Sequence, residues 1–321
     1  MKKRIVGYLF LGLVIVAMAV VFLNRQWFLD FFRGMQYKPS VEMSAIRDSL
    51  QLTDRGNFLF NAAQPELEES DVFNAYCRTG DEEIAILGCY TADNIYIYNI
   101  TEKELDGIRE LTTAHELLHV VFARMPEGEK GDLKQALDKV YTDNKDILEG
   151  DLESYDEAER FEELYVRAGT EVKKLPDVLE KHYAAVFKDQ DKIVDYYNKY
   201  IAVFREIKAE FDKLSSEMEA LNQTIEQKTK EYEIGAAQLN AEIGEFNACA
   251  ETAGCFSSEY VFWTRRSNLI NQQMQLDNAY NEINALIDQY NDDVEKYNAN
   301  VMRNDKLNSI INSSEKVEGI E

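Results

Sequence analysis

Apolar and polar residues change rhythm twice along this chain. From Ile5 to Leu23 an apolar run passes without a charge. As a helix it would span about 30 Å, the thickness of a bilayer core. From about residue 26 to 188 the spacing is that of a mixed, mainly helical domain with a few short strands. From Ile193 apolar residues recur at alternating steps of four and three: Tyr197, Tyr200, Phe204, Ile207, Phe211, Leu214, Met218, Leu221 and Ile225. That is a heptad seam, and it continues more loosely through Tyr232, Leu239 and Phe246. A second seam follows from Leu276 through Tyr280, Ile283, Ile287, Tyr290, Val294 and Tyr297 to Val301. Two seams joined by a short turn predict an antiparallel coiled-coil hairpin with a first arm about 80 Å long. The alternative is that each arm pairs with another chain.

Within the middle region, residues 24 to about 40 read as a membrane-proximal stalk, and Val41 to Leu52 has helical spacing. Phe58-Leu59-Phe60 reads as a strand, and Pro65 to Asp71 as the start of a helix ending near Cys77. Ile84–Tyr90 and Ile95–Ile100 read as two strands of a hairpin, turned by Thr91-Ala92-Asp93-Asn94. Thr101-Glu102-Lys103-Glu104 is a capping box opening a helix to about Arg124, ahead of Pro126. Further helices are expected near 132–142, 156–168 and 176–187. The fold class is α+β, mainly α. The expected division is a cytoplasmic start and anchor (1–25), a mixed, mainly helical domain (26–188), the hairpin (189–312) and a loose tail (313–321).

Charge sharpens this picture. With 59 acids against 35 bases the net charge is −24, which excludes a nucleic-acid partner. Lys2, Lys3 and Arg4 precede the apolar run, placing the N-terminus in the cytoplasm and the bulk of the chain outside the cell membrane. The rival is a signal peptide cleaved near Ala17-Met18-Ala19; the run's continuation past that point favours an uncleaved, single-pass anchor. Trp27, Phe28, Phe31 and Phe32 then form an interfacial aromatic cluster. Four cysteines suit an oxidising compartment. Three pairings are open; the local one, Cys77–Cys89 and Cys249–Cys255, is favoured because each pair brackets a turn-like stretch.

Candidate chemistry lies in His115-Glu116-Leu117-Leu118-His119. Only three histidines occur, and two are here. One helical turn apart, their imidazoles leave the same face and can close on one metal ion. Glu116 lies one step round, within reach of a water on that ion. Leu117 and Val121 fall about 200° away and can bury the back of the helix. A catalytic zinc site also needs a third protein ligand and one open position.

The His-Glu-x-x-His stretch resembles the signature of zincin metallopeptidases. A metzincin is excluded, since no histidine follows His119 before His182. Glu159-Arg160-Phe161-Glu162-Glu163-Leu164-Tyr165-Val166-Arg167-Ala168 is similar to the second helix of gluzincins, and position within the acidic pair matches Glu163 to their third ligand. Thermolysin-like members carry an aspartate where Arg167 stands, so Glu162 and Glu159 stay open as ligands. The resemblance covers these two helices alone. It implies a Zn²⁺ enzyme in which Glu116, as general base, activates a zinc-held water to hydrolyse peptide bonds within a protein or peptide substrate. It also implies that Ile95-Tyr96-Ile97-Tyr98 is the sheet edge along which substrate pairs. Tyr165, His182 and Arg167 are candidates to stabilise the carbonyl oxygen. The alternative, from another class, is a structural protein that works through a partner bound to the coiled-coil arm.

Overall fold

Several helix starts among the described residues are set by short polar side chains. Ser40, Thr53 and Asp156 each accept a hydrogen bond from a backbone N–H in the turn that follows. The computed structural model describes residues 13, 18–77, 87–150, 152 and 155–313. The apolar run up to residue 17, except Leu13, lies outside the described residues, as do residues 78–86 and 314–321. Among the described residues no helix is long and apolar enough to cross a membrane.

In chain order the elements are α1 (Arg25–Gln36), α2 (Val41–Ser49), α3 (Asp54–Ala63), β1 (Glu66–Glu68), α4 (Ser70–Tyr76), β2 (Gly88–Thr91) and β3 (Asn94–Tyr98). A 3₁₀ turn over Lys103–Leu105 precedes α5 (Ile108–Ala123), α6 (Glu127–Asp143), α7 (Lys145–Leu148), α8 (Glu157–Glu171) and α9 (Asp177–Tyr183). Two long helices close the chain, α10 (Gln190–Ala250) and α11 (Glu259–Ile311). The protein is thus mainly helical, with one small sheet and a long helical hairpin. It divides into two compact units, residues 1–204 with 307–321, and residues 205–306.

In the first unit α5 is the central helix. Leu117, Leu118, Val120 and Val121 have no exposed surface. They share one core with Ile95 and Ile97 of the sheet, Phe60 of α3, Tyr165 of α8 and Tyr183 of α9. The sheet order is β1-β3-β2. β1 runs parallel to β3, and β2 antiparallel with Cys89 opposite Tyr96. Disulfides join Cys77 to Cys89 and Cys249 to Cys255, the local pairing.

Several expectations need correction. Phe58, Leu59 and Phe60 lie in α3, not in a strand. Three apolar residues do not separate helix from strand; the Thr53 cap and Asp54 in the first turn do. Residues 66–68 are a strand and the helix begins only at Ser70. In consequence Ile95–Tyr98 lies in the central strand and not at the edge; among the described residues the edge strands are β1 and β2. The expected capping box does not open α5. That helix starts after Gly107, whose φ of 96° is left-handed and breaks the chain direction. Residues 24–40 are no free stalk. α1 buries Asp30, and both its carboxylate oxygens accept from Arg124 at 3.1 Å. Arg33 donates to the carbonyls of Ala62 and Asp93.

In the second unit the two arms run antiparallel. Phe211 meets Tyr297 with ring centres 5.0 Å apart, and Tyr232 meets Tyr280 at 6.1 Å. Lys228 pairs with Glu282 at 2.9 Å, and Gln272 donates to Glu242 at 2.8 Å. Residue numbers fall on one arm as they rise on the other, so the seams pair within one chain. Cys249–Cys255 closes the turn, where Gly254 takes a φ of 82°.

The approach of α8 to α5 depends on Gly169. A methyl there would lie 2.6 Å from both Leu118 Cδ1 and Tyr183 Cε1. Such overlap costs about 1–3 kcal/mol, against a helix-propensity gain of about 1 kcal/mol. Tyr183 is fully buried and donates to the Tyr165 carbonyl, so it has little room to yield. Gly169→Ala should lose about 1–2 kcal/mol in urea denaturation; undiminished stability would contradict this packing.

Candidate metal centre

The site is built where α8 crosses α5. Phe122 of α5 packs against Phe161 and Tyr165 of α8, with ring centres 5.6 and 5.4 Å apart. That packing turns the acidic face of α8 toward the histidine face of α5. His115 Nε2 and His119 Nε2 stand 3.3 Å apart. The Glu163 carboxylate presents one oxygen 3.6 Å from His115 Nε2 and the other 3.5 Å from His119 Nε2. Ligands about 2.0–2.1 Å from a tetrahedral ion are about 3.3–3.4 Å from one another. Two imidazoles and a carboxylate at these separations could hold a divalent ion.

Glu162 has a different place. Its Oε1 is 2.7 Å from His119 Nδ1, on the side of the ring away from Glu163. A carboxylate there fixes the ring's orientation and leaves Nε2 as the ligand atom. Glu159 is exposed in the first turn of α8 and joins neither imidazole.

Comparison with protein-family models, with characterised proteins and with solved structures gave no match for this chain. The geometry alone has to carry the chemistry.

Glu116 is buried beneath β2, where the Tyr90 backbone N–H donates to it. Burial, with Glu163 and Glu162 adding negative charge, pushes its carboxyl up to about 7 against the pull of His119. A carboxyl there can take and give a proton near neutrality. Burial depresses His115 to about 4. Burial opposes charge on His119 too, but hydrogen bonds with Glu162 and Glu163 outweigh it and hold the imidazole at about 10. Burial works against an ionised Glu163, and the neighbouring His115 and His119 overcome it, bringing the carboxyl down to about 2.

A cleft of about 460 Å³ opens over these groups. Leu87, Gly88, Cys89 and Tyr90 line one side, and Tyr155, Thr170 and Glu171 also contribute. Gly88 is required by this close approach: a Cβ there would fall 2.6 Å from Thr112 Cγ2 and 2.9 Å from Glu116 Oε1. Tyr165, His182 and Arg167 do not line the cleft. Tyr165 is buried with its hydroxyl 2.9 Å from His182 Nε2, and Arg167 grips Glu171 and the carbonyls of Ile147 and Leu148. The phenols lining it are Tyr90 and Tyr155. No local signal in the sequence marks Tyr155 as a wall of this cleft.

The charge state sets a pH dependence. At pH 7.5 a proton sits on His119, because its pKa of about 10 lies above that pH, and zinc has to displace it. Zinc affinity should rise about tenfold per pH unit between pH 7.5 and 8.5, above the range in which Glu116 titrates, with about one proton released per ion. Calorimetry in buffers of differing ionisation enthalpy measures both; an affinity independent of pH would contradict the assignment.

Proposed function

We propose that the chain is a membrane-anchored, extracytoplasmic zinc metallopeptidase of zincin type that cuts peptide bonds within polypeptides. The observation that carries this reading is the convergence of His115, His119 and Glu163 on one point beside the buried Glu116. The anchor rests on the apolar run from Ile5 to Leu23 behind Lys2, Lys3 and Arg4. The outward placement is supported by the two disulfides.

His115, His119 and Glu163 would hold the ion, and Glu162 would keep the His119 ring in line. Zinc held there supplies Lewis acidity, polarising a carbonyl and acidifying water. Glu116 takes the proton of the attacking water and hands it to the leaving amine, a cycle suited to a carboxyl poised near neutrality. Tyr155 is the cleft phenol we assign to the carbonyl oxygen that gains negative charge. β2 takes the role first expected of Ile95–Tyr98. Along Leu87–Tyr90 it borders the cleft, and a substrate in extended form would pair with its outer side.

Glu116→Gln keeps the shape of the side chain and removes its basicity. It should lower cleavage of a mixed peptide library by about a hundred- to ten-thousandfold while zinc content stays at one per chain. Cleavage equal to wild type would overturn the assignment. Loss of zinc alongside activity would move Glu116 from proton transfer to metal binding.

A further inference from the structure

α1 has two unlike faces. Inward it carries Asp30, clamped by Arg124, and Arg33, bonded to the α3 carbonyl of Ala62. Outward, at 100° per residue, Trp27, Phe31, Met35, Phe28 and Phe32 fall on one arc of about 140° with no charge among them. Trp27 is 51% exposed and Phe32 58%. Trp27 stacks on Phe31 and Phe58, which extends the patch onto α3. Single exposed apolar residues are ordinary, but a contiguous aromatic face is a contact surface.

What covers it follows from the chain itself. Residues 18–23, directly before α1, are helical, with Phe22 78% and Leu23 80% exposed. The sequence stays apolar and uncharged back to Ile5. The face of α1 is thus continuous with a segment suited to lipid, and tryptophan at that border suits the headgroup layer. A chain of net charge −24 gains nothing from an anionic surface, so the contact would rest on apolar burial.

The inner face ties this helix to the cleft. Arg124 donates to Asp30 on one side, and on the other to the Tyr90 hydroxyl at 2.7 Å and Asp93 at 2.9 Å. Tyr90 is a wall of the cleft. One guanidinium therefore separates the aromatic helix from the strand that borders the metal centre.

We propose that the outer face of α1 lies in the interfacial layer of a lipid bilayer and, through Arg124, holds the cleft at the membrane surface. The substrate is then a polypeptide segment lying on the bilayer or just leaving it, an assignment that rests on the peptidase reading above. Association by aromatic burial is also insensitive to salt.

Trp27 and Trp263 are the only tryptophans, so Trp263→Phe makes Trp27 a sole reporter in the full chain. Reconstituted in bilayer nanodiscs, Trp27 should be quenched by lipids brominated high on the acyl chain and shielded from aqueous iodide. Free access of iodide with no lipid quenching would overturn the docking face. Shielding from iodide without lipid quenching marks a protein partner and overturns it equally. For the substrate, one peptide is offered free and attached to lipid by a short linker. The tethered form should be cut at least tenfold faster by wild type, and Phe31→Ser with Phe32→Ser should lower that preference at least threefold, the anchor still holding enzyme and peptide in one bilayer, while cleavage of the free form persists; an unchanged preference would overturn the role of the α1 face. Equal rates in wild type would overturn the substrate class. The fluorescence readout needs no catalysis. A lipid-quenched Trp27 in a chain that cuts nothing would remove the peptidase reading and leave the docking face standing.

Discussion

The close passage of α8 across α5 is the constraint from which the site follows. It requires a side chain no larger than hydrogen at Gly169, where Leu118 and Tyr183 leave no space. It is held by Phe122 against Phe161 and Tyr165. Its result is electrostatically costly, because Glu162 and Glu163 are brought to the same cleft as Glu116 and Glu171. Like charges gathered at partial burial disfavour ionisation. The protein answers with His119, which keeps its proton, and with Arg167, which is forked on Glu171. A divalent cation between the three donors would relieve the remainder. The proposed metal centre rests on this gathering of His115, His119 and Glu163.

The second constraint is the seat of β2. Gly88 lets the strand settle onto Thr112 and Glu116, and that contact is what removes Glu116 from water. Cys77–Cys89 ties the strand to α4, while Arg124 ties the Tyr90 and Asp93 end to α1. Glu116 therefore owes its raised pKa to a strand fixed at both ends. A loosened strand would admit water and return Glu116 toward an ordinary carboxylate.

Local signals in the sequence were legible and distant ones were not. The histidine pair sits one turn apart, so its shared face follows from helix geometry alone. The cysteine pairs bracket short stretches, and the heptad seams repeat often enough to announce two paired arms. Phe58–Phe60 misled because an apolar triplet has no period, and the decisive cap, Thr53, lies five residues upstream. Glu66-Leu67-Glu68 has little strand character, and β1 exists because β3 offers it a partner. Without that signal Ile95–Tyr98 reads as an edge. The distinct places of Glu162 and Glu163 could not be separated by spacing, since adjacent residues differ only in which side of His119 they meet. Asp30 and Arg124 are 94 residues apart, and nothing local marks them as partners.

X-ray absorption on the zinc-loaded full chain tests the metal centre most directly. Two imidazole nitrogens and one carboxylate oxygen at about 2.0–2.1 Å are expected, with the oxygen lost in Glu163→Ala. A zinc shell with fewer than two imidazoles, or one that Glu163→Ala leaves unchanged, would contradict the assignment of His115, His119 and Glu163 as the donors.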